Sequence, residues 1–230
     1  MAPLPVTQMD DGTTAPYDSG YFENLREEML PFLPSRVRRM LDIGCGEGVF
    51  GAVCKSRFGC EAWGVEINSR AAELAVSRLD RVLAGDAYEH ARTLPDRHFD
   101  LIVCNDVLEH LAEPELLLAE LRRTLTSGGC VVASIPNIRY YLALWTILVD
   151  KDFPRHPHGI FDRTHLRFFT RKTIERCFSE AGYSIERLSG INLSHDRRLL
   201  LLNLLLFGAL NDCRYAQFAC VARPRDHGLG

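Results

Sequence analysis

The segment that most constrains this 230-residue chain is 41–48, in which a short apolar run containing Asp42 leads into a loop with glycine at every second position. Glycine lacks a Cβ and readily adopts positive φ, so a ligand can approach such a backbone closely. The following residues, Val49–Phe58, are predicted to form a helix whose N-terminal amides face the same point. Loops of this kind, after a first strand, bind nucleotide-like ligands in open α/β sheets.

The spacing of these glycines separates two classes of nucleotide site. Gly44, Gly46 and Gly48 follow Asp42, which gives Asp-x-Gly-x-Gly-x-Gly instead of the dinucleotide fingerprint Gly-x-Gly-x-x-Gly. The chain also has one nucleotide-binding half and no second domain to hold a hydride acceptor. Both observations argue against a nicotinamide-dependent dehydrogenase.

Apolar strand-like runs alternate with helix-like segments along the chain, which predicts an α/β fold with a mostly parallel sheet covered by helices on both faces. The predicted strands are 39–43, 61–67, 81–84, 99–105, 130–135, 183–188 and 217–222. The predicted helices are 49–58, 70–79, 114–125, 171–181 and 197–210. Ser69 and Thr170 are predicted N-caps, and Gly182 a C-terminal cap.

Length and composition are typical of one domain with an insertion. We expect a lead-in over 1–20, the domain over 21–224 with an irregular insertion at about 139–169, and a tail over 225–230. The first twenty residues do not resemble a secretory signal, and no apolar run reaches the roughly 20 residues of a membrane-spanning helix. Eight cysteines without zinc-site spacing indicate buried free thiols. These features predict a cytoplasmic protein.

Three more polar positions fall at predicted strand ends. Glu66, about 20 residues after the glycine loop, can accept hydrogen bonds from a ribose diol. Asp86 can accept from an adenine amine, and the Ala87 amide can donate to a ring nitrogen. Asn105 ends the fourth strand at the central cleft of the predicted sheet.

These motifs, together with 99–103, Leu108-Glu109-His110-Leu111 and the later Gly128-Gly129, resemble the class I S-adenosylmethionine-dependent methyltransferases in order and spacing. The resemblance covers the chain from about residue 20 to its end. It implies a Rossmann-like sheet of seven strands with the last strand antiparallel, and S-adenosylmethionine as the cofactor. It also implies that an aromatic residue such as Tyr21 packs near the cofactor. The resemblance implies that Asn105 lies beside the methionine part of this cofactor and that Asp42 faces its amino end. The predicted cofactor-binding residues are Asp42, Gly44, Gly46, Glu66, Asp86, Ala87 and Asn105.

The acceptor side is predicted in the polar stretch 159–170. Methyl transfer to an oxygen needs an oriented acceptor and usually a base. His165 is the predicted general base, because the pKa of histidine lies near working pH, and Asp162 is predicted to orient it. His110 is a further catalytic candidate. The alternative is that these side chains only pin the insertion to the sheet.

The main interpretation assigns no metal. A variant with a divalent ion stays open, because Asp106, Glu109 and His110 resemble the acid-x-x-Glu-His motif of small-RNA 2′-O-methyltransferases and some ubiquinone-pathway O-methyltransferases. The resemblance places His165 where those families have a later histidine.

Charge and a second motif suggest the acceptor. The formal charge of −3 predicts no DNA partner, yet residues 135–176 hold eight Lys or Arg against four acids, which favours an anionic acceptor or surface. The motifs 134–137 and 162–170 resemble a bacterial subgroup that accompanies polysaccharide and O-antigen synthesis, which implies a glycan hydroxyl.

Three alternatives stay open for the partners of the chain. The acceptor could be a quinone-like phenol or an RNA end. The chain could instead be a non-catalytic S-adenosylmethionine-binding regulator of another enzyme. The apolar segments 140–149 and 199–210 indicate either a contact with a membrane surface or a second subunit, or ordinary packing on the sheet.

Overall fold

The computed structural model describes residues 25–225, apart from the side chains at positions 197, 198 and 202. The predicted lead-in over 1–20, Tyr21 and most of the predicted tail therefore lie outside the described residues. Seven strands form one sheet in the order β3-β2-β1-β4-β5-β7-β6. They are β1 Arg39–Ile43, β2 Glu61–Glu66, β3 Arg81–Ala84, β4 Phe99–Asn105, β5 Leu125–Pro136, β6 Tyr183–Leu193 and β7 Tyr215–Pro224.

Helices flank this sheet. They are α1 Val49–Phe58, α2 Ser69–Ala75, α3 Ala87–Thr93, α4 Pro114–Arg122, α5 Tyr141–Leu148, α6 Arg171–Glu180 and α7 Arg197–Leu205. Short 3₁₀ helices cover Glu27–Phe32, Leu108–His110 and Asn211–Arg214. Two of these helices, α3 and, inside the insertion, α5, were not predicted from the sequence. Both are seven or eight residues long, and their apolar positions do not show the repeated helical spacing that a longer segment would.

The predicted fold class is confirmed: β1 to β5 pair in parallel, and β7 runs antiparallel to both β5 and β6. Parallel strands end at one edge of the sheet, which we call the carboxyl edge. The glycine loop, Glu66, Asp86 and Asn105 all lie there, at or just after the ends of β1 to β4. Because β6 points the same way as β5, the segments after β5 and β6, including α5 and α7, begin at this edge too.

Local capping explains several helix boundaries. The Thr170 hydroxyl accepts from the Thr173 amide, and the Thr173 hydroxyl accepts from the Thr170 amide, which completes the predicted cap of α6 as a capping box. Gly182 follows that helix with φ of +84°, as a C-terminal glycine should. The predicted Ser69 cap is wrong, because the Asn68 side chain accepts from the Ala71 amide and starts α2 one residue earlier.

The core forms two layers, one on each face of the sheet. All eight cysteines are buried free thiols, as predicted, and all but Cys213 belong to these two layers. Within residues 25–225, no helix has both the length and the apolar character needed to cross a bilayer.

Candidate active site

The glycine loop after β1 requires glycine at its first position. Gly44 has φ of +68° and Gly46 has φ of +54°, a region that other residues rarely adopt. The Gly44 amide donates to the Val65 carbonyl at 2.8 Å, which draws the loop against β2. A Cβ at Gly44 would lie 2.6 Å from Cγ2 of Val107, so a larger residue would collide with the chain after β4.

Glu66 connects β2 to this loop. Its Oε2 accepts from the Gly46 amide and its Oε1 from the Asn68 amide, both at 2.8 Å. Burial raises the pKa of this carboxyl, against the effect of those two hydrogen bonds. Each carboxylate oxygen has a second lone pair, so the side chain can hold the loop and still accept from a diol.

Asp42 lies beside Glu66, and the two acids share a setting poor in positive charge. Burial, and then the nearby Glu66 charge, raise the pKa of Asp42 to about 8. Two carboxyl groups this poorly neutralised favour a ligand that brings a cation, since a positive charge would restore their ionised form. The sulfonium and ammonium of S-adenosylmethionine are such charges.

Asp86 is the N-cap of α3, a role that was not predicted from the sequence. Its Oδ1 accepts from the Tyr88 amide at 2.8 Å and the Glu89 amide at 3.1 Å, which caps α3 directly at Ala87. A carboxylate with two backbone donors on one oxygen keeps acceptor capacity on the other. The predicted adenine contacts of Asp86 and Ala87 stay predictions.

Asn105, the last residue of β4, has a side chain whose hydrogen-bonding capacity is unsatisfied. Its amide nitrogen and oxygen are both buried and have no hydrogen-bond partner among residues 25–225. Buried amides normally find partners, so this pair of atoms marks a place where a polar ligand group would bind. Its position next to the glycine loop agrees with the predicted methionine part of the cofactor.

Next to Asn105, a charged cluster that the sequence did not predict forms around Asp106. Asp106, at φ of +52°, accepts from the Arg26 guanidinium, from the Ser134 hydroxyl at 3.0 Å and from the Gln217 amide at 2.8 Å. These groups converge from segments separated by 28 to 111 residues, so no local pattern announces them. Because Asp106 is directed toward Arg26, it does not join the other proposed metal ligands.

Those other ligands do converge. One donor atom from each of Glu109, His110 and His165 lies within 4.8 Å of the others. The insertion is brought there by its backbone, since the amides of Leu166 and Arg167 donate to the Glu109 carbonyl at 2.8 and 3.0 Å. The Glu109 side chain is 1% exposed, and neither of its oxygens has a hydrogen-bond partner in the described part of the chain.

Hydrogen bonds fix the tautomer of both histidines. Nδ1 of His165 lies 3.1 Å from the Ile160 carbonyl, which can only accept, so Nδ1 carries the proton. The Thr164 hydroxyl donates to Asp162 Oδ1 at 2.6 Å and therefore accepts from His110 Nδ1 at 3.0 Å. Both histidines thus keep the Nε2 lone pair available, and His165 Nε2 lies 3.9 Å from Glu109 Oε1.

These contacts correct one prediction. Asp162 does not orient His165 with its carboxylate; it acts on His110 through Thr164, and Ile160 orients His165. Burial raises the pKa of Glu109 well above its ordinary value, and the nearby Asp106 raises it further. Burial and His165 lower the pKa of His110. Glu109 therefore keeps its proton more readily than an exposed glutamate does, and a cation bound there would displace that proton. The Ile160 carbonyl and the Thr164 hydroxyl orient the two histidines, as neighbouring groups commonly do for histidines that bind a metal.

A pocket of about 160 Å³ lies against His165. Three phenylalanines, Phe153, Phe161 and Phe168, line it together with Asp162, His165, Pro154 and Arg155. The rings of Phe153 meet those of Phe161 and Phe168 edge to face, at 5.0 and 5.2 Å between centroids. Such walls suit a planar or apolar group.

A seven-stranded sheet with an acid-glycine loop, strand-end carboxylates and an asparagine without hydrogen-bond partners at one edge places the chain among the Rossmann-like proteins, with a candidate nucleoside site at that edge. A family model described as "Methyltransferase domain" matches residues 17–188. The chain belongs to this family; it is an S-adenosylmethionine-dependent methyltransferase, and S-adenosylmethionine is its cofactor.

Similar proteins extend this result. The chain is 28% identical over 165 residues to a ubiquinone biosynthesis O-methyltransferase of Aeromonas salmonicida, a match that covers 67% of this chain and 66% of that relative. A protein of the same name from Azoarcus sp. is 28% identical, with 67% of each chain covered. Crystal structures of S-adenosylmethionine-dependent methyltransferases from Archaeoglobus fulgidus (TM-score 0.61, 23% identity, 85% and 89% covered) and Mesorhizobium loti (TM-score 0.60, 17% identity, 85% and 95% covered) share the fold.

Proposed function

We propose that this enzyme transfers a methyl group to the phenolic hydroxyl of a quinone-like acceptor, with a divalent cation held by Glu109, His110 and His165. The observation that carries the proposal is that Glu109, His110 and His165 each place one donor atom within 4.8 Å of the others, while the buried Glu109 oxygens have no hydrogen-bond partner in the described part of the chain. The names of the relatives from Aeromonas and Azoarcus support a quinone-related phenol. The aromatic pocket beside His165 supports a planar ring.

The glycan acceptor implied by the sequence motifs has less support. Part of that motif, Asn137, is buried, and its amide donates to the carbonyls of Asp212 and Tyr215 at 2.9 Å. Another part, Asp162, holds Thr164. Both residues therefore have structural reasons to be present, and neither is left to recognise a sugar.

The residues divide the chemistry as follows. Asp42, Glu66 and Asn105 hold the cofactor, which brings the methyl carbon for in-line displacement. A cation bound by Glu109, His110 and His165 would supply Lewis acidity that lowers the pKa of a phenol and fixes its oxygen. Asp162 and Thr164 keep His110 in the tautomer that presents Nε2. Ile160 does the same for His165.

The role of His165 as general base uses the same Nε2 lone pair, so metal dependence separates the two mechanisms. Transfer of labelled methyl from S-adenosylmethionine should be measured with a catechol, with a nucleotide sugar, and with EDTA before and after added Mg²⁺ or Mn²⁺. We expect catechol methylation that EDTA reduces at least about tenfold and the cation restores.

Glu109→Gln provides the residue-level test. It should lower turnover and Mn²⁺ affinity about 10- to 100-fold, the usual effect of damaging a metal site. Glu113→Gln, an exposed acid nearby, should change neither. Turnover that is unchanged by EDTA and by Glu109→Gln would favour His165 as a general base without a cation. Methylation of the nucleotide sugar but not of the catechol would refute the phenolic acceptor.

A further inference from the structure

We propose that the carboxyl edge of this enzyme docks onto an anionic lipid bilayer through a surface formed by two apolar segments. We define this apolar rim as Leu142, Trp145 and Leu148 of α5 together with Leu201, Leu204 and Phe207 in and after α7. The proposal is independent of which acceptor the enzyme methylates.

The rim is unusual in how much apolar surface it leaves in water. Phe207 is 100% exposed, Leu204 74%, Leu148 70% and Trp145 58%. Neighbours add to it, since Val149, Phe153, Leu200, Leu205 and Leu206 are also exposed. Large apolar side chains that are this exposed and this concentrated in two segments indicate a contact site.

The two halves of the rim are tied together by Arg139, the residue two positions before α5. Its Nε donates to Asp212 Oδ2 at 2.6 Å and its Nη2 to the Ala209 carbonyl at 3.3 Å, in the turn that follows α7. The start of α5 therefore lies against the end of the α7 segment. Both segments begin at the carboxyl edge, the edge that also carries the predicted cofactor-binding residues.

Hydrogen bonds fix the turn that carries Phe207. The Asn203 side chain accepts from the Leu210 amide at 2.8 Å and donates to Asn211 Oδ1 at 2.7 Å, while the Gly208 amide donates to the Asn203 carbonyl at 2.8 Å. The polar residue that interrupts the apolar run thus closes the turn and directs the apolar side chains outward. A fixed protruding phenylalanine flanked by leucines fits a soft acyl layer better than a flat protein face.

The charges near the rim favour an anionic bilayer as its partner. Residues 199–210 carry no charge. Exposed Lys151, Arg155 and Arg163 follow α5 and form no ion pair within the described part of the chain. Anionic headgroups would neutralise these cations and draw the rim toward the bilayer. The acids Asp150 and Asp152 reduce this attraction without cancelling it.

Vesicle flotation with the full chain tests the proposal. We expect it to float with vesicles of phosphatidylethanolamine and phosphatidylglycerol and to bind pure phosphatidylcholine less tightly. The double variant Leu204→Ser/Phe207→Ser should lose about 100-fold in lipid partitioning, since each side chain inserts a large apolar area. Leu116→Ser, at an exposed leucine of α4, should bind as the unaltered protein does.

Calorimetric binding of S-adenosylmethionine shows that each variant is folded, independently of the acceptor. Sedimentation velocity over a range of concentrations reports self-association. Full lipid binding by the double variant would overturn the proposal. So would an unaltered protein that binds neither kind of vesicle, or one that forms a dimer that the double variant abolishes.

Discussion

At the glycine loop, interacting groups are close in the chain: the Gly46 amide and the Glu66 carboxylate are 20 residues apart and belong to one β-α-β unit. On the acceptor side the partners are far apart in the chain. The Thr164 hydroxyl bonds to His110 across 54 residues, and the nearby Arg26 bonds to Asp106 across 80. The first region depends on backbone geometry imposed by glycine. The second depends on an insertion folding back onto the sheet. The cofactor half is therefore encoded locally, and the acceptor half is assembled by tertiary contacts.

The largest expected effect tests the local half. Glu66→Ala removes the acceptor of the Gly46 and Asn68 amides and the predicted ribose ligand, so cofactor affinity should fall about 100-fold, or ~2.7 kcal/mol. Calorimetry measures it, with Glu73→Ala on exposed α2 surface as the control. Unchanged affinity would show that the ribose does not bind Glu66.

A smaller effect concerns Asp42, whose pKa is about 8 in the folded chain and near 3.8 when unfolded. The folded state holds the proton longer, so the free energy of unfolding should fall as pH rises from about 4 to about 8. Asp42→Asn removes this slope and should raise stability at pH 8 by about 2 kcal/mol, with little change at pH 4.

The same variant should bind S-adenosylmethionine more weakly, because the cationic cofactor favours ionised Asp42. For the unaltered protein, affinity should therefore increase with pH up to about 8 and then level off. Denaturant titrations and calorimetry across this range give both quantities. Asp96→Asn, at an exposed ion pair with Arg123, serves as the control. A stability curve of Asp42→Asn parallel to that of the unaltered protein would contradict the raised pKa.

The smallest effect tests the assembled half. Thr164→Val breaks the link from Asp162 to His110 and releases the tautomer, so Mn²⁺ affinity and turnover should fall about tenfold. Thr164→Ser keeps the hydroxyl and should restore both. Thr146→Val, which loses only a hydroxyl bond to the Leu142 carbonyl within α5, should leave both unchanged. Equal behaviour of the Val and Ser variants would mean that the hydroxyl does not control His110.

Much of this molecule follows from the sequence alone. The Asp-x-Gly-x-Gly-x-Gly loop, the strand-end acids and the alternation of apolar runs are local patterns, and they predicted the sheet, the cofactor and the bounds of β1, β3, β4 and α1. They suffice because positive φ at Gly44 and side-chain position at a strand end are properties of a few consecutive residues.

The tertiary structure decided the rest. Which histidine Thr164 orients, and whether Asp106 joins the histidines or pairs with Arg26, depend on distances between segments that the chain brings together only on folding. A hydrogen bond forms only within a donor–acceptor range narrower than about 1 Å, and a pattern of residue types does not predict distances that precisely between residues 50 or more positions apart.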